Sequence, residues 1–451
     1  MSVAAGANTQ PADDLALLEE QPIRKAFRRL IPFLFVLFII SYLDRINIGF
    51  AALAMNKELN LTATMFGLAN TIFYAGYAVC EIPSNLLLTR YGARKWIARI
   101  LVTWGIASAA TLFASSAASL YVLRLLVGVA EAGFLPGVLL YLTFWFPPTY
   151  RARATGMFLM AQPVTIAIGA SVSGVILDHA NGWLGLSGWR WMFLVEGLPA
   201  VLLGIITFFY LSDNPAKAKW LTDAEKAALQ RRLEREQGSP VGSRAGGRGW
   251  REMFSRNVTI LSLTYFCLVV GLNANAVWTP QIVRDVLETH SLSSVGLFTA
   301  LPAVCALIAM PIWGARSDRK MERNWHFALP VLAAALGWFL LAILKMPELR
   351  MASLVLCSAG VFSGQVIFWT VPAQVLSPNA RPVGIAWIST CGIVAASVSP
   401  LVFGFLRDLT NSWFASLIFV AVMLAVAAAL FFLVPAHGNP ASVPAHSPPR
   451  G

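Results

Sequence analysis

Long apolar runs alternate with short polar connections along most of the chain. A run of about 20 apolar residues can cross the hydrocarbon core of a bilayer as one helix. The pattern predicts twelve such helices, at 30–55, 62–88, 97–114, 119–146, 155–178, 190–212, 258–280, 293–314, 326–344, 351–377, 382–406 and 411–435. The predicted fold class is therefore an all-α, polytopic membrane protein.

A polar stretch at 213–257 divides these spans six and six. Its first part, 216–237, predicts a surface helix, because Thr222 followed three residues later by Glu225 forms a capping-box pattern. Its second part, 238–249, has the composition of a flexible linker. We interpret the loop mainly as a tether between two halves. The predicted domains are an amino tail, a first bundle, a linker loop, a second bundle and a carboxyl tail, at 1–29, 30–212, 213–257, 258–435 and 436–451.

Composition and charge support this interpretation. Of the 451 residues, 57% are hydrophobic and 12% charged, too few charges to cover a soluble protein. Alternate connections, with the helix ends beside them and the two tails, contain 26 of the 34 Lys and Arg residues, and the connections and helix ends on the opposite side contain 6. Because positive loops stay in the cytoplasm, both termini are predicted to be cytoplasmic. The net charge of +12 therefore indicates topology and not nucleic-acid binding.

The residues that usually carry catalysis or bind metals show no such arrangement. The cysteines lie in apolar segments without metal-ligand spacing: Cys80, Cys267, Cys305, Cys357 and Cys391. The sequence offers no nucleotide-binding loop and no soluble domain. We therefore predict a protein that is not an enzyme, needs no cofactor or metal, and acts as a monomer in the lipid bilayer.

Two pairs of charged residues stand out inside predicted spans, where each charge costs about 2.5–3.5 kcal/mol. Asp44 and Arg45 are adjacent on span 1 and point about 100° apart, so both cannot face one cavity. Arg124 and Glu131 on span 4 are seven residues apart and share a helix face with Gly128, which leaves room for a helix or a ligand. Charges at this depth usually mark function, and the alternative is an ion pair that only fixes packing.

The second half lacks charges within its spans, and all five histidines lie in connections, in tails or at the first residue of a span. If protons cross the interior, carboxylates must carry them, and Asp44 and Glu131 are the candidates. Glu196 and Asp178, near span ends, are interpreted as structural. When the two acids are protonated, Arg45 or Arg124 would bind a substrate carboxylate, and when they are ionised the arginine would pair internally.

Polar and aromatic residues near mid-span can complete a binding site. Tyr42, Tyr77 and Gln162 in the first half can donate hydrogen bonds, or can form ordinary interhelical contacts worth about 0.6 kcal/mol. Trp369 in the second half offers a face for stacking on a ring, although tryptophan is also common at membrane interfaces.

Two basic turns occupy equivalent places in the halves: NLLLTRYGARK between spans 2 and 3, and GARSDRKMER between spans 8 and 9. They resemble the loop motif of the major facilitator superfamily, a resemblance that covers the whole chain and implies two parallel halves with a substrate site between them. The implied gating residues are Arg90, Arg94, Asp318 and Arg319.

The first turn departs from that motif. Asn85 and Thr89 stand where the family has glycine and aspartate. This weakens the gating ion pair expected on the first half. Glu81, one turn earlier, is a candidate partner for Arg90 or Arg94.

Further motifs resemble the anion:cation symporter branch of that superfamily: SYLDRINIGFAALAM, TMFGL, EIPSNLLL, YGARKWIA, YVLRLLVGVAEAGFLPG, YLTFWFP and RARA. VWTPQIV, RSDRK, IFWTVPAQVLS and VSPLVFGFLRD are most similar to its 4-hydroxyphenylacetate permeases. The resemblance implies that Asp44 and Glu131 are protonation sites and that Arg45, with Arg124 nearby, contacts the substrate carboxylate. It also implies ligand contacts from Tyr42, Tyr77, Gln162 and Trp369.

Span 11 departs from the branch, with Ser389 and Ile393 where two asparagines often stand. A less polar site favours an aromatic acid over a sugar acid. The function expected is proton-coupled import of a small organic anion, with a 4-hydroxyphenylacetate-like acid first and a tartrate- or galactonate-like hydroxy acid second. The sequence is also compatible with a passive anion facilitator and with a proton-driven drug exporter.

Overall fold

The computed structural model describes residues 10–237, 255–320, 322–376 and 381–434, and within these ranges it contains helices and turns but no strands. The helices are α1 (Gln10–Glu58), α2 (Ala63–Tyr91), α3 (Ala93–Ala110), α4 (Ala117–Glu131), α5 (Phe134–Trp145), α6 (Pro148–Leu159), α7 (Ala161–His179), α8 (Gly188–Tyr210), α9 (Asp223–Gln237), α10 (Arg256–Val277), α11 (Thr279–Leu287), α12 (Leu292–Lys320), α13 (Asn324–Ile343), α14 (Pro347–Thr370), α15 (Pro372–Val375), α16 (Arg381–Thr410) and α17 (Phe414–Phe431).

The predicted fold class is confirmed. Within the described ranges, eleven helical segments are long and apolar enough to cross a membrane. The helix α2 is the twelfth span: its 29 residues are also long enough, but polar residues such as Asn70 and Glu81 lower its mean hydropathy.

The fourth span, predicted as continuous, is a broken helix. The helix α4 ends at Glu131, and α5 begins at Phe134 after Gly133, which has a left-handed backbone (φ +86°). Glycine is required there, because a Cβ atom would lie 2.3 Å from Oγ of Ser84. The break leaves the carbonyl groups at the end of α4 without their helical partners, and it places Glu131 at that end.

The central loop is more than a tether. As predicted, α9 starts after Thr222: Glu225 Oε2 accepts from the Thr222 amide at 2.9 Å, and Thr222 Oγ1 accepts from the Glu225 amide at 3.3 Å. Lys25 Nζ lies 2.6 Å from Glu225 Oε1. This contact is possible because α1 begins about twenty residues before the predicted span. The predicted linker at 238–249 and the tail at 436–451 lie outside the described residues.

Acidification is expected to loosen α9. Burial opposes ionisation of Glu225, but hydrogen bonds from Lys25 and Thr222 outweigh it and hold the pKa of Glu225 below its ordinary value. The stabilisation is therefore full above about pH 4.3 and is lost as the pH falls through the lowered pKa. Glu225→Gln should remove about 1 kcal/mol at neutral pH. Hydrogen exchange of α9 measures this, with the exposed Glu234→Gln as control; equal protection in both variants would contradict the prediction.

The described residues divide into two compact units. One contains those of Met1–Arg244, Ala276–Leu301 and Ser397–Leu409, and the other contains those of Ala245–Asn275, Pro302–Ala396 and Thr410–Gly451. The first unit thus includes the ends of three second-half spans as well as the first half.

Two carboxylates in the first unit cap helix N-termini contributed by other spans. Asp408, near the end of α16, accepts from the amides of Ala63 (3.1 Å) and Thr64 (2.7 Å) at the start of α2. Asp178, near the end of α7, accepts from the amides of Leu292 (3.0 Å) and Ser293 (2.6 Å) at the start of α12. A carboxylate at this position satisfies free amides and complements the helix dipole.

Asp408→Asn and Asp178→Asn are each expected to destabilise the protein by about 1–2 kcal/mol, because the amide is a weaker acceptor without the charge. Thermal unfolding of the purified protein in detergent measures the effect. The exposed Glu234→Gln serves as control, and melting temperatures equal to that of the control would show that these caps do not contribute to stability.

A candidate site around a buried ion pair

The centre of the candidate site is an ion pair between the first and fourth spans. Arg45 Nε on α1 lies 2.8 Å from Glu131 Oε1 on α4. Ser41 Oγ, one turn before Arg45, donates to the same oxygen at 3.2 Å. The Glu131 side chain is fully buried, whereas that of Arg45 is 19% exposed. The pair is therefore closed on the glutamate side and reachable on the arginine side.

Aromatic side chains of α2 cover the two arginines. The Arg45 guanidinium carbon lies 5.0 Å from the Tyr77 ring centre and 6.0 Å from that of Phe73, and Arg124 lies 4.5 Å from Phe73. Cation–π attraction in such a low-dielectric setting is worth about 2 kcal/mol. The sequence analysis missed Phe73. Its spacing of four residues from Tyr77, on one face of α2, was the available signal.

Asp44 contacts a different helix from its neighbour Arg45. Ser108 on α3 donates a hydrogen bond to Asp44 Oδ1, and Asp44 is 3% exposed. No donor among the described residues reaches its Oδ2. Asp44 thus faces α3 and Arg45 faces α4, as the angle of about 100° between adjacent residues on a helix predicted.

Arg124 is buried on α4 without an ion-pair partner in the described part of the chain. The charges of Asp44 and Glu131 act on it from nearby, and so does that of Arg45. A Cβ atom at Gly128 would lie 2.1 Å from the carbonyl oxygen of Phe73. The room left by Gly128 is therefore occupied by the backbone of α2 and not available to a ligand.

Asp44, Arg45, Arg124 and Glu131 form a charged cluster. Other predicted site residues lie around this cluster or apart from it. Gln162 Nε2 donates to the Tyr42 hydroxyl at 2.8 Å, so these two form an interhelical contact. In the second unit, the Trp369 ring packs edge-on against Tyr265 with centroids 4.9 Å apart, and Ser389 on α16 is partly exposed.

Glu81 joins the cluster and not the basic turn. The candidate partnership of Glu81 with Arg90 or Arg94 is wrong: no ion pair connects these described residues, and Arg45 is the cation that acts on Glu81. The guanidinium groups of Arg90 and Arg94 lie over the rings of Tyr91 and Phe208 instead. Glu81 lies one turn after Tyr77 on the same face of α2, and this face is turned toward Arg45.

Asp213 supplies the carboxylate that the first basic turn lacks. It lies just after α8, and its Oδ1 accepts from the Arg94 amide at 3.0 Å. A Cβ atom at Gly92 (φ +90°) would lie 2.7 Å from the same oxygen. In the second turn, Asp318 pairs with Arg323 at 2.7 Å, and Arg319 is exposed.

Comparisons with known proteins agree with this architecture. The sequence matches the model of the Major Facilitator Superfamily over residues 34–400 and 286–451. It is 40% identical over 427 residues to a protein of Agrobacterium vitis described as a tartrate transporter, covering 94% of each chain. It is 38% identical to the metabolite transport protein NicT of Pseudomonas putida, covering 90% of this chain and 93% of that one.

The structure also resembles that of a D-xylose-proton symporter, with a TM-score of 0.73 at 16% identity over 90% of this chain and 98% of that one. Identity at this level shows the fold alone. The family match and the nearly full-length relatives show that this twelve-span membrane protein belongs to the major facilitator superfamily.

Proposed function

We propose that this protein is a proton-coupled symporter that imports a small organic carboxylate across the bacterial inner membrane by alternating access, as a monomer with both termini in the cytoplasm. The observation that carries the proposal is the Arg45–Glu131 pair, in which a fully buried acid holds an arginine that is still reachable. Such an arginine can exchange one carboxylate for another.

Protonation of Glu131 starts the proposed cycle. A neutral Glu131 no longer holds the Arg45 guanidinium by charge, and Arg45 then binds the substrate carboxylate through two parallel hydrogen bonds. Tyr77 and Phe73 keep the guanidinium in place during this exchange. When the substrate and the proton have left inward, Arg45 pairs with Glu131 again, and the empty carrier resets.

Asp44 and Arg124 fit the same scheme as a second acid and a second cation. Arg124 is buried without an ion pair among the described residues, close to both carboxylates. The buried positive charges of Arg45 and Arg124 can be balanced either by ionised Asp44 and Glu131 or by a bound substrate anion. Protons and an organic anion therefore favour each other's binding.

If two protons accompany a monoanion, each cycle moves net positive charge inward, which electrode recordings on supported membranes would detect.

The substrate proposed first is an aromatic monocarboxylate similar to 4-hydroxyphenylacetate. The Trp369 ring can stack on that of a substrate, and Ser389 and Ile393 stand on span 11 where the branch that the sequence resembles often has asparagines. A tartrate-like hydroxy acid is the second candidate, favoured by the 40% identical relative described as a tartrate transporter.

Uptake into proteoliposomes tests the function. A thermal-shift screen of the purified protein against organic acids, including 4-hydroxyphenylacetate and tartrate, selects the labelled substrate. An imposed inward proton gradient is then expected to drive accumulation above equilibrium, abolished by a protonophore. Equilibration without accumulation would indicate a passive facilitator instead, and proton-driven removal of cationic or neutral compounds would indicate an exporter.

A further inference from the structure

A third buried acid within the spans lies apart from Asp44 and Glu131, on the sixth span. Glu196 on α8 is 5% exposed, and Ser173 Oγ on α7 donates to its Oε1 at 3.0 Å. In the described part of the chain, no Lys, Arg or His pairs with it, and its Oε2 has no hydrogen-bond partner. An ionised carboxylate without a partner in this position would cost several kcal/mol, which makes Glu196 a candidate proton carrier.

Asn47 lies close to both Glu196 and Asp44. The Asn47 side chain is fully buried and interacts with Glu196, yet neither of its amide atoms makes a hydrogen bond of normal geometry. Asn47 follows Asp44 by three residues on α1, which places their Cβ atoms about 5–6 Å apart. Glu196, Asn47 and Asp44 each have a buried polar side-chain atom without a hydrogen-bond partner. Buried polar atoms in native proteins almost always have partners, and internal water commonly provides them.

Glu196, Asn47 and Asp44 lie at increasing distances from one end of the helix bundle. Glu58 at the end of α1 pairs with Arg190 near the start of α8 at 3.0 Å, which sets those two helix ends at one level. From that level Glu196 lies about 9 Å along its helix, Asn47 about 16 Å and Asp44 about 21 Å. The positive-inside rule places this end outside the cell. Glu196 is therefore nearer the outer surface than the predicted proton-coupling residue Asp44.

We propose that Glu196 and Asn47 form the part of the proton route that leads from the outer solution to Asp44. Glu196 passes its proton through water held by the Asn47 amide to the Asp44 carboxylate, and it takes another proton from the outer solution, so each transfer restores the relay. Glu196 is a positioning and relay residue and does not touch the substrate. The inference rests on the proposed proton symport.

The surroundings make Glu196 responsive to Asp44 and to outside pH. Asp44 on α1 is the charged group that acts on it, and α7 contributes the Ser173 hydroxyl. On α3, Ser108 is bound to Asp44. Arg190, on the same helix as Glu196, is engaged by Glu58 and by the Leu112 carbonyl.

The test compares Glu196→Gln, Glu196→Asp and the exposed control Glu348→Gln with the wild type in proteoliposomes, using labelled 4-hydroxyphenylacetate or tartrate. Glu196→Gln is expected to slow uptake driven by a proton gradient about tenfold, most strongly at high outside pH, while counterflow of labelled against unlabelled acid stays near the wild-type rate. Glu196→Asp should recover most of the gradient-driven rate.

Three results would overturn the proposal or separate it from the function itself. A wild-type rate and pH profile in Glu196→Gln would exclude the relay, and an Asp variant as slow as the Gln variant would indicate packing alone. If the wild type itself does not accumulate substrate, the proposed symport fails first. Should Glu196→Gln not fold, Asn47→Leu carries the same test: the same slowing is expected, and an unchanged rate contradicts the route.

Discussion

Replacement of Arg45 with alanine is expected to lower the affinity for the transported acid by at least about 100-fold, equivalent to about 3 kcal/mol. The change removes the guanidinium that is paired with Glu131 and partly exposed. It also leaves Glu131 buried without its cation, so both binding and local structure lose an interaction. Calorimetric titration of the purified variant with the acid selected by thermal shift measures the loss.

Three companion variants isolate the role of Arg45. Arg45→Lys keeps the charge but loses the planar, bidentate donor, so it should bind more weakly than wild type and better than Arg45→Ala. Arg45→Ala combined with Glu131→Gln removes the orphaned charge and should recover stability without recovering binding. Arg231→Ala, on the exposed face of α9, should bind normally. Wild-type affinity in the Arg45→Ala variant would exclude Arg45 as the carboxylate-binding residue.

Glu131→Gln is expected to uncouple transport from protons. The glutamine resembles the protonated acid in shape and charge, so Arg45 stays free for substrate, and Ser41 keeps a polar partner. Counterflow of labelled against unlabelled acid should therefore continue, while accumulation driven by a proton gradient should disappear. Proteoliposomes that contain the variant, assayed under both protocols, give the comparison.

The exposed Glu348→Gln provides the matched control, because it makes the same chemical change away from the cluster. Concentrative uptake that persists in Glu131→Gln would remove this residue as a proton carrier. Loss of counterflow together with accumulation would indicate that the Arg45–Glu131 pair maintains the fold and does not carry the coupling.

Much of the fold follows from local composition. A bilayer requires apolar segments of fixed length whose backbone polar groups are bonded within the segment, so spans can be recognised without knowledge of their neighbours. The start of α9 was predictable for a similar reason, since Thr222 and Glu225 lie three residues apart. The cost of charge in the membrane likewise identified Asp44, Arg45, Arg124 and Glu131 as special positions.

The partners of those charges were not predictable from the sequence. Arg45 pairs with Glu131, 86 residues away, and Asp44 bonds to Ser108, 64 residues away. Glu81 was assigned to Arg90 or Arg94 because these residues are close to it in the sequence. The structure shows Arg45 acting on Glu81 instead, because closeness in sequence does not reveal which face of α2 a side chain occupies. Asp213 replaces the missing turn aspartate from more than a hundred residues away.

By itself, the sequence determined an all-α membrane protein with twelve spans, an inventory of charges within them, and a family resemblance. These properties depend on length, polarity and short-range spacing. Only the tertiary structure decided that Arg45 pairs with Glu131 beside the aromatic rings of α2, that the fourth span breaks after Glu131, and that Glu196 lies nearer than Asp44 to the helix ends joined by Glu58 and Arg190. Those facts depend on which helix faces meet, and packing fixes that through many weak contacts between residues far apart in the chain.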